Sequence, residues 1–199
     1  MDAGLSTSQL YDRIPQAKVK LLATPLRKPA MPPAANDDRP RRMRRPEDFA
    51  GERGGHAPWC GPAAIATAAG LSYASACALL AAIAPGRYAP GEEIVTTWWR
   101  DLIGALGHAG IVARPRPVAG RPTLCRAVRD GLPEGWWLAR VTDHFCLLHV
   151  ARSGDAGVGA RVFDNRLHAA PLGARTHGRR RVTHLAQLPP PPGAGPGAG

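Results

Sequence analysis

The chain has few acidic residues, no paired cysteines and no long apolar run. Its 15 Asp and Glu stand against 26 Lys and Arg, which gives a formal net charge of +11. None of its four cysteines belongs to a CxxC pair, and the apolar surroundings of Cys77 and Cys125 predict buried free thiols. The longest apolar stretch, residues 74–84, is too short to cross a bilayer, and no basic segment followed by an apolar run opens the sequence. These absences predict a soluble protein of a reducing, cytoplasmic compartment, with no membrane span and no secretory signal.

The positive charge is concentrated at the two ends of the sequence. Residues 1–53 carry a net charge of +4 and residues 160–199 a net charge of +5, whereas the longer middle, 54–159, carries +2. One interpretation is a solvated basic surface that aids solubility. The other is an anionic partner, such as nucleic acid, a membrane surface or an acidic protein, bound through these basic flanks. No nucleic-acid-binding motif accompanies the charge, which favours the first interpretation.

Composition divides the chain into three parts. Residues 1–55 are rich in proline and arginine and lack a sustained apolar period, so they predict a disordered basic tail. Within this tail, residues 5–14 are a candidate for a short helix on a partner. Residues 56–188 have the apolar periodicity of a folded domain, and residues 189–199 are a Pro/Gly tract that predicts a second disordered tail.

Within the domain, helical patterns come before strand patterns. Helices are predicted over residues 62–69, 73–83 (with Ser72 as N-cap), 92–106 and 123–129. Strands are predicted over residues 111–113, 136–141, 144–151, 160–164 and 180–185. Both faces of segment 144–151 are mostly apolar, so this strand is expected at the centre of its sheet. This order predicts an α+β domain with N-terminal helices packed on a C-terminal antiparallel sheet.

Cys60 is the first candidate for chemistry, because it stands at the start of a predicted helix. Backbone N–H groups and the positive end of the helix dipole favour a thiolate there, and the thiolate is the nucleophilic form. Gly61 leaves space beside the sulfur, and Pro62 suits a first helical turn. A buried cysteine that happens to open a helix would give the same pattern.

His144 and Asp164 are the candidate partners of Cys60. His144 opens the predicted central strand, where an imidazole facing a helix N-terminus can accept the thiol proton. Asp164 ends the next strand, and an antiparallel hairpin brings that end beside the start of the preceding strand. A carboxylate there can orient the imidazole and stabilise its charged form. Asn165 is the alternative for this role, although strand alternation favours Asp164.

These segments together resemble the papain-like cysteine peptidases. The matching pieces are Cys60-Gly61-Pro62-Ala63, residues 135–141 leading to His144, and Val162-Phe163-Asp164-Asn165. The resemblance is to the bacteriocin-leader (double-glycine) peptidase branch and to phage-encoded cysteine-peptidase-like proteins, and it spans residues 59–165. It implies a papain-like α+β fold and a thiol hydrolase with Cys60, His144 and Asp164 as catalytic residues. It also implies a peptide or protein substrate cleaved at a peptide or isopeptide bond through an acyl-enzyme, and a virion-associated location if the origin is phage.

The chain departs from that family at the oxyanion position. The family usually has a glutamine about six residues before the cysteine, where this sequence has Gly54. Loss of one oxyanion donor costs on the order of a hundredfold in rate. This departure leaves three alternatives open. The backbone N–H of Cys60 holds the oxyanion alone, His56 takes the place of the glutamine, or the protein is weakly active or inactive.

No metal or cofactor is expected from the sequence. His144, Cys146 and His149 are close together, but they lack the paired spacing of zinc ligands, and on a strand His149 faces away from the other two. The tryptophans are expected in the core or lining a cleft; they are Trp98, Trp99, Trp136 and Trp137. His177, like three other histidines, has no role assigned from the sequence.

Two further functions remain as alternatives to a hydrolase. One is a papain-like structural or binding module of phage or prophage origin, which the missing glutamine favours. The other is a nucleic-acid-associated protein that acts through the basic segments 39–45 and 175–181.

Overall fold

A computed structural model describes residues 42–152 and 157–194 of the chain. The candidate helix at residues 5–14 and most of the predicted N-terminal tail lie outside the described residues, as does the end of the predicted Pro/Gly tail.

The described residues form five helices and six strands. The helices are α1 Pro46–Glu52, α2 Cys60–Ala69, α3 Tyr73–Ile83, α4 Trp99–His108 and α5 Leu124–Arg129. The strands are β1 Arg114–Arg116, β2 Gly135–Val141, β3 His144–Arg152, β4 Val158–Phe163, β5 Ala170–Pro171 and β6 Val182–Leu188.

All six strands belong to one antiparallel sheet with the order β1-β6-β2-β3-β4-β5. The predicted α+β class is therefore confirmed. β3 lies between β2 and β4, as its two apolar faces indicated. β6 follows β5 in the chain but pairs with β2, so the segment between β5 and β6 must cross one end of the sheet.

The sheet is covered on both faces. One face contributes Trp136, Leu138 and Leu147 to a core that includes buried residues of α1, α2, α3 and α4. The other face contributes Trp137 and Leu148, among others, to a second core with α5. Burial of both faces explains why β2 and β3 are almost continuously apolar, since neither face of these strands meets water.

The predicted boundary of the N-terminal tail at residue 55 was wrong. Residues 46–52 form α1, and Phe49 within it is completely buried in the first core. Pro46 supplies a favourable first residue, and the carboxylate of Asp48 accepts a hydrogen bond from the backbone N–H of Arg45 at 2.8 Å. A single aromatic residue in a proline- and arginine-rich segment gives no periodic signal, which is why composition suggested a tail.

Two further elements differ from their predictions, while the other predicted elements overlap the observed ones and have ends within three residues of them. α4 begins at Trp99 rather than at residue 92, because the preceding segment is held extended by tertiary contacts: Ile94 is buried, and Tyr88 accepts a hydrogen bond from the N–H of Trp98. β1 lies at residues 114–116 rather than 111–113. Its three side chains are exposed, so backbone pairing with β6, not an apolar pattern, defines it.

No helix in the described part of the chain is by itself long and apolar enough to cross a membrane. α2 and α3 meet that criterion only as a pair, which is bent by 107°.

Candidate active site

Cys60 is the first residue of α2, so the helix begins two residues earlier than predicted. The first N–H groups of a helix have no intrahelical acceptor, and Pro62 has no N–H, so Cys60 and Gly61 supply the backbone N–H groups before Ala63 at this end of the helix. α2 packs on β3, and the imidazole of His144 and the backbone N–H of Phe145 lie close enough to the Cys60 thiol to lower its pKa. The cysteine therefore stands where positive dipoles and a basic side chain converge.

Gly61 allows the segment before α4 to approach the cysteine closely. A Cβ atom at Gly61 would overlap the hydroxyl and the Cβ of Thr97. Thr97 is buried, and its hydroxyl has no hydrogen-bond partner among the described residues. The glycine that sequence analysis assigned to open space beside the sulfur is in fact packed against this threonine.

A two-residue hairpin turn places His144. Val141 of β2 pairs with His144 of β3, and the turn residue Asp143 has a φ of 53°, a left-handed conformation that aspartate tolerates well. Asp164 follows β4 directly, and the pairing of Leu147 with Phe163 brings it close to the start of β3. The distance from His144 Nε2 to Asp164 Oδ2 is 2.8 Å. The three residues predicted as a catalytic set are thus brought together.

The carboxylate of Asp164 is buried and accepts four hydrogen bonds. Its Oδ1 accepts from the backbone N–H groups of Arg166 and Leu167, both at 2.7 Å. Its Oδ2 accepts from Nε2 of His144 and from Nε2 of His177, the latter at 2.6 Å. Burial raises the pKa of Asp164, but the two histidines and the backbone N–H of Arg166 outweigh it and hold the pKa well below its usual range. Because an ionised carboxylate only accepts, both histidines carry a proton on Nε2.

His177 is the member of this cluster that sequence analysis missed. Its ring centroid lies 4.5 Å from that of His144. It stands in an irregular segment, 13 residues after Asp164, so neither periodicity nor a motif pointed to it. With a φ of 69°, it adopts a left-handed conformation that is uncommon outside glycine.

Helix α5 holds the segment that carries His177. The N–H groups of Leu124 and Cys125, at the start of α5, donate to the carbonyls of Arg180 and Gly178 at 2.9 and 3.0 Å. A Cβ at Gly178 would overlap the sulfur of Cys125 and the carbonyl of Gly173, so this position requires glycine. A short helix on the far face of the sheet thereby fixes a histidine of the site.

The charges of Cys60 and His144 are coupled. Burial raises the pKa of the Cys60 thiol, but the hydrogen bond and the charge of His144, followed by the backbone N–H groups of Phe145 and Cys60, lower it below its ordinary value. Burial lowers the pKa of His144, whereas its hydrogen bonds to Asp164 and Cys60 raise it to about 9. Both directions favour a thiolate–imidazolium pair near neutral pH.

Asn165 does not orient His144. Its Nδ2 instead donates to the carbonyl of Pro58 at 2.6 Å, across 107 positions of the chain. This bond ties the end of β4 to the residues just before Cys60. Between the two alternatives left by the sequence, Asp164 is the residue bonded to the imidazole.

A cavity of about 480 Å³ opens beside these residues, and Cys60, His144, Asp164 and His177 line it. Gly54, at the position of the family glutamine, is exposed and does not line the cavity, and neither does His56. Substitution of the oxyanion donor by His56 therefore finds no support in the geometry. The free N–H groups at the start of α2 remain as donors.

The four tryptophans considered earlier lie away from this cavity. Trp136 and Trp137 are buried in the two cores, as predicted, whereas Trp98 is 56% exposed. The four cysteines are free thiols, and Cys77 and Cys125 are half-buried rather than fully buried.

The same cluster has donor atoms that suit a metal ion. Among the described residues, ligand atoms of His144, Asp164 and His177 lie within 4.8 Å of one another. Two imidazoles and a carboxylate are a donor set that zinc accepts. A metal bound to Nε2 of His144 would, however, occupy the atom that now donates to Asp164. Cys146 and His149, which the sequence places near His144 as possible zinc ligands, do not belong to this cluster. Cys146 is buried, and His149 stacks on Trp136.

Comparison of the chain with family models, with curated proteins and with solved structures found no match.

Proposed function

We propose that this protein is a cysteine hydrolase of the papain-like type that cleaves a peptide or isopeptide bond. The observation that carries the proposal is that Cys60, His144 and Asp164 line one cavity: His144 is hydrogen-bonded to the buried carboxylate of Asp164 at 2.8 Å and is close enough to the Cys60 thiol to lower its pKa. A lowered pKa on the sulfur and a raised pKa on the imidazole are the electrostatic requirements of an activated thiol. N-terminal helices on an antiparallel sheet are compatible with this type of fold.

The proposed reaction proceeds in two steps. The Cys60 thiolate attacks the carbonyl carbon, the C–N bond breaks, and the imidazolium of His144 gives its proton to the departing amine. This leaves a thioester on Cys60. Water then attacks the thioester while His144 accepts its proton, the C–S bond breaks, and the carboxylic acid leaves with the thiolate–imidazolium pair restored. Asp164 holds the ring of His144 in place, and the N–H groups at the start of α2 are the proposed donors to the developing oxyanion.

Selective alkylation tests the activated thiol without knowledge of the substrate. A limiting amount of iodoacetamide at pH 6–7 is expected to modify Cys60 much faster than Cys77, Cys125 or Cys146, because thiolate is the reactive form. Peptide mapping by mass spectrometry measures the four rates within one sample. His144→Ala should abolish the advantage of Cys60, and His149→Ala, a matched change on the same strand, should preserve it.

Equal and slow modification of all four cysteines in the wild-type protein would contradict the proposal. The same result with His144→Ala alone would support it, since that variant removes the base and the positive charge beside the sulfur.

A catalytically weak or inactive module of the same shape is the second candidate. The exposed Gly54 in place of a glutamine favours it, because no side-chain donor from that position reaches the cavity. Fast alkylation of Cys60 combined with no turnover of any peptide in a degenerate library would favour this candidate over the hydrolase. A phage or prophage setting, cytoplasmic or virion-associated, stays part of the proposal.

A further inference from the structure

The cavity beside Cys60 contains more positive charge than the proposed reaction uses. Three arginines line it, Arg166, Arg175 and Arg180. Among the described residues, the acidic side chains that line it are Asp143 and Asp164. Asp164 is already committed to two histidines and two backbone N–H groups, so it leaves little negative charge to offset the arginines.

These arginines have no acidic partners within the described part of the chain. None of the three forms an ion pair there, although many other arginines do, such as Arg42 with Asp48 at 2.6 Å. Arg180 is anchored by a hydrogen bond from Nη1 to the carbonyl of Thr142 at 2.9 Å. This bond holds it at the hairpin turn that precedes His144.

The fold, not the sequence order, brings this charge to the site. Arg166 follows Asp164, whereas Arg175 and Arg180 flank His177 in the segment held by α5. From the sequence, the whole region 160–199 had the character of a basic flank with a net charge of +5. Half of its six arginines line the cavity that contains the candidate nucleophile.

We propose that Arg166, Arg175 and Arg180 bind a carboxylate of the substrate next to the bond that Cys60 attacks, so that the substrate is an acidic peptide. Guanidinium groups bind carboxylates through paired, charge-assisted hydrogen bonds. A carboxylate is favoured over a nucleic-acid phosphate because the reaction proposed for Cys60 takes an acyl substrate. This inference rests on the proposed function and adds the chemical class of its substrate.

Two alkylating reagents that differ in charge test the site with probes of known structure. Iodoacetate carries the carboxylate and iodoacetamide does not, while both react with thiolates. The measured quantity is the rate of Cys60 with iodoacetate divided by its rate with iodoacetamide, normalised to the same ratio for Cys77. In the wild-type protein this normalised ratio is expected to exceed one.

Removal of each arginine should lower that ratio. Arg166→Gln, Arg175→Gln and Arg180→Gln are each expected to reduce it about threefold to tenfold, the effect of one nearby charge in a partly aqueous site. Arg179→Gln is the matched control, because Arg179 is exposed in the same segment and does not line the cavity. Because the ratio is taken within one variant, it corrects for any change in the reactivity of the Cys60 thiolate itself, and the iodoacetamide rate at Cys60 should stay unchanged in Arg179→Gln.

Competing peptides then distinguish the source of the carboxylate. Acetyl-Ala-Glu-amide carries it on a side chain, acetyl-Ala-Gln with a free C-terminus carries it on the main chain, and acetyl-Ala-Gln-amide lacks it. Whichever of the two carboxylate peptides binds should slow the alkylation of Cys60 by iodoacetamide in the wild-type protein and lose this effect with Arg175→Gln. Acetyl-Ala-Gln-amide should have no effect.

The outcomes separate the inference from the proposed function. Slow reaction of Cys60 with iodoacetamide would contradict the activated thiol itself. Fast reaction with iodoacetamide, but a charge ratio that the three arginine variants leave at the wild-type value, would overturn only the carboxylate site. Protection of Cys60 by a short single-stranded oligonucleotide and not by either acidic peptide would also overturn it.

Discussion

At the scale of single residues, the carboxylate of Asp164 organises the site. One oxygen of this buried group receives two imidazole N–H groups, at 2.8 Å from His144 and 2.6 Å from His177. The negative charge of this carboxylate favours a proton on His144. His177 shares the same oxygen with His144, although it has no part in the proposed reaction.

The pKa of His144 tests this arrangement. Hydrogen bonds to Asp164 and Cys60 raise it to about 9, so Asp164→Asn should lower it towards the ordinary value of about 6.5. The titration of the His144 ring protons by NMR measures the change directly. In the wild-type protein, the rate of peptide cleavage should fall above about pH 9, because the leaving amine needs the imidazolium proton. In Asp164→Asn this fall should begin at a lower pH.

Asp143→Asn is the matched control for this measurement. Asp143 lines the same cavity but makes no hydrogen bond to His144. An unchanged pKa of His144 in Asp164→Asn, or an equal decrease in both variants, would show that the carboxylate of Asp164 does not hold the proton.

At the scale of elements, the first turn of α2 depends on its contact with the extended segment before α4. Gly61→Ala would force its new methyl group into Thr97, whose side chain is buried. Overpacking of this kind costs about 1–3 kcal/mol of unfolding free energy. We expect this loss in urea unfolding, together with slower alkylation of Cys60 as the start of α2 shifts.

Gly107→Ala serves as the comparison, since it makes the same change in another helix. A Cβ at Gly107 of α4 meets no atom within 4 Å. The substitution should stabilise the protein by up to about 1 kcal/mol through helix propensity. Equal effects of the two substitutions would mean that the contact with Thr97 is not a constraint.

At the scale of the whole molecule, α1 makes the folded unit larger than composition suggested. Phe49 is completely buried, and its ring lies 6.3 Å from that of Tyr73 at the start of α3. Phe49→Ala should therefore cost about 3–5 kcal/mol of unfolding free energy, as for other buried aromatic residues. Val112→Ala, at a site that is 69% exposed, should change it by less than about 0.5 kcal/mol. A small effect of Phe49→Ala on the unfolding free energy would show that residues 46–52 do not contribute to the folded domain.

The sequence identified those parts of the fold that rest on local patterns. α3 begins at Tyr73 with Ser72 as its cap, as predicted, because Ser72 Oγ accepts a local hydrogen bond from the N–H of Ser75. β2 and β3 were found because burial of both faces makes them continuously apolar. β1 and the start of α4 were misplaced, because pairing with β6 defines β1, whereas burial of Ile94, the hydrogen bond from Trp98 to Tyr88 and the contact of Thr97 with Gly61 hold the segment before α4.

For the site, the sequence by itself determined Cys60, His144 and Asp164, because a helix start and a hairpin fix their positions through local rules. Only the tertiary structure decided between Asp164 and Asn165. Asp164 is bonded to His144, whereas the neighbouring Asn165 donates to the carbonyl of Pro58. The tertiary structure alone added His177 and the three arginines, since an irregular segment has no periodicity from which its direction can be predicted. The places of His177, Arg175 and Arg180 depend on hydrogen bonds to α5, more than fifty residues away in the chain, which no local pattern encodes.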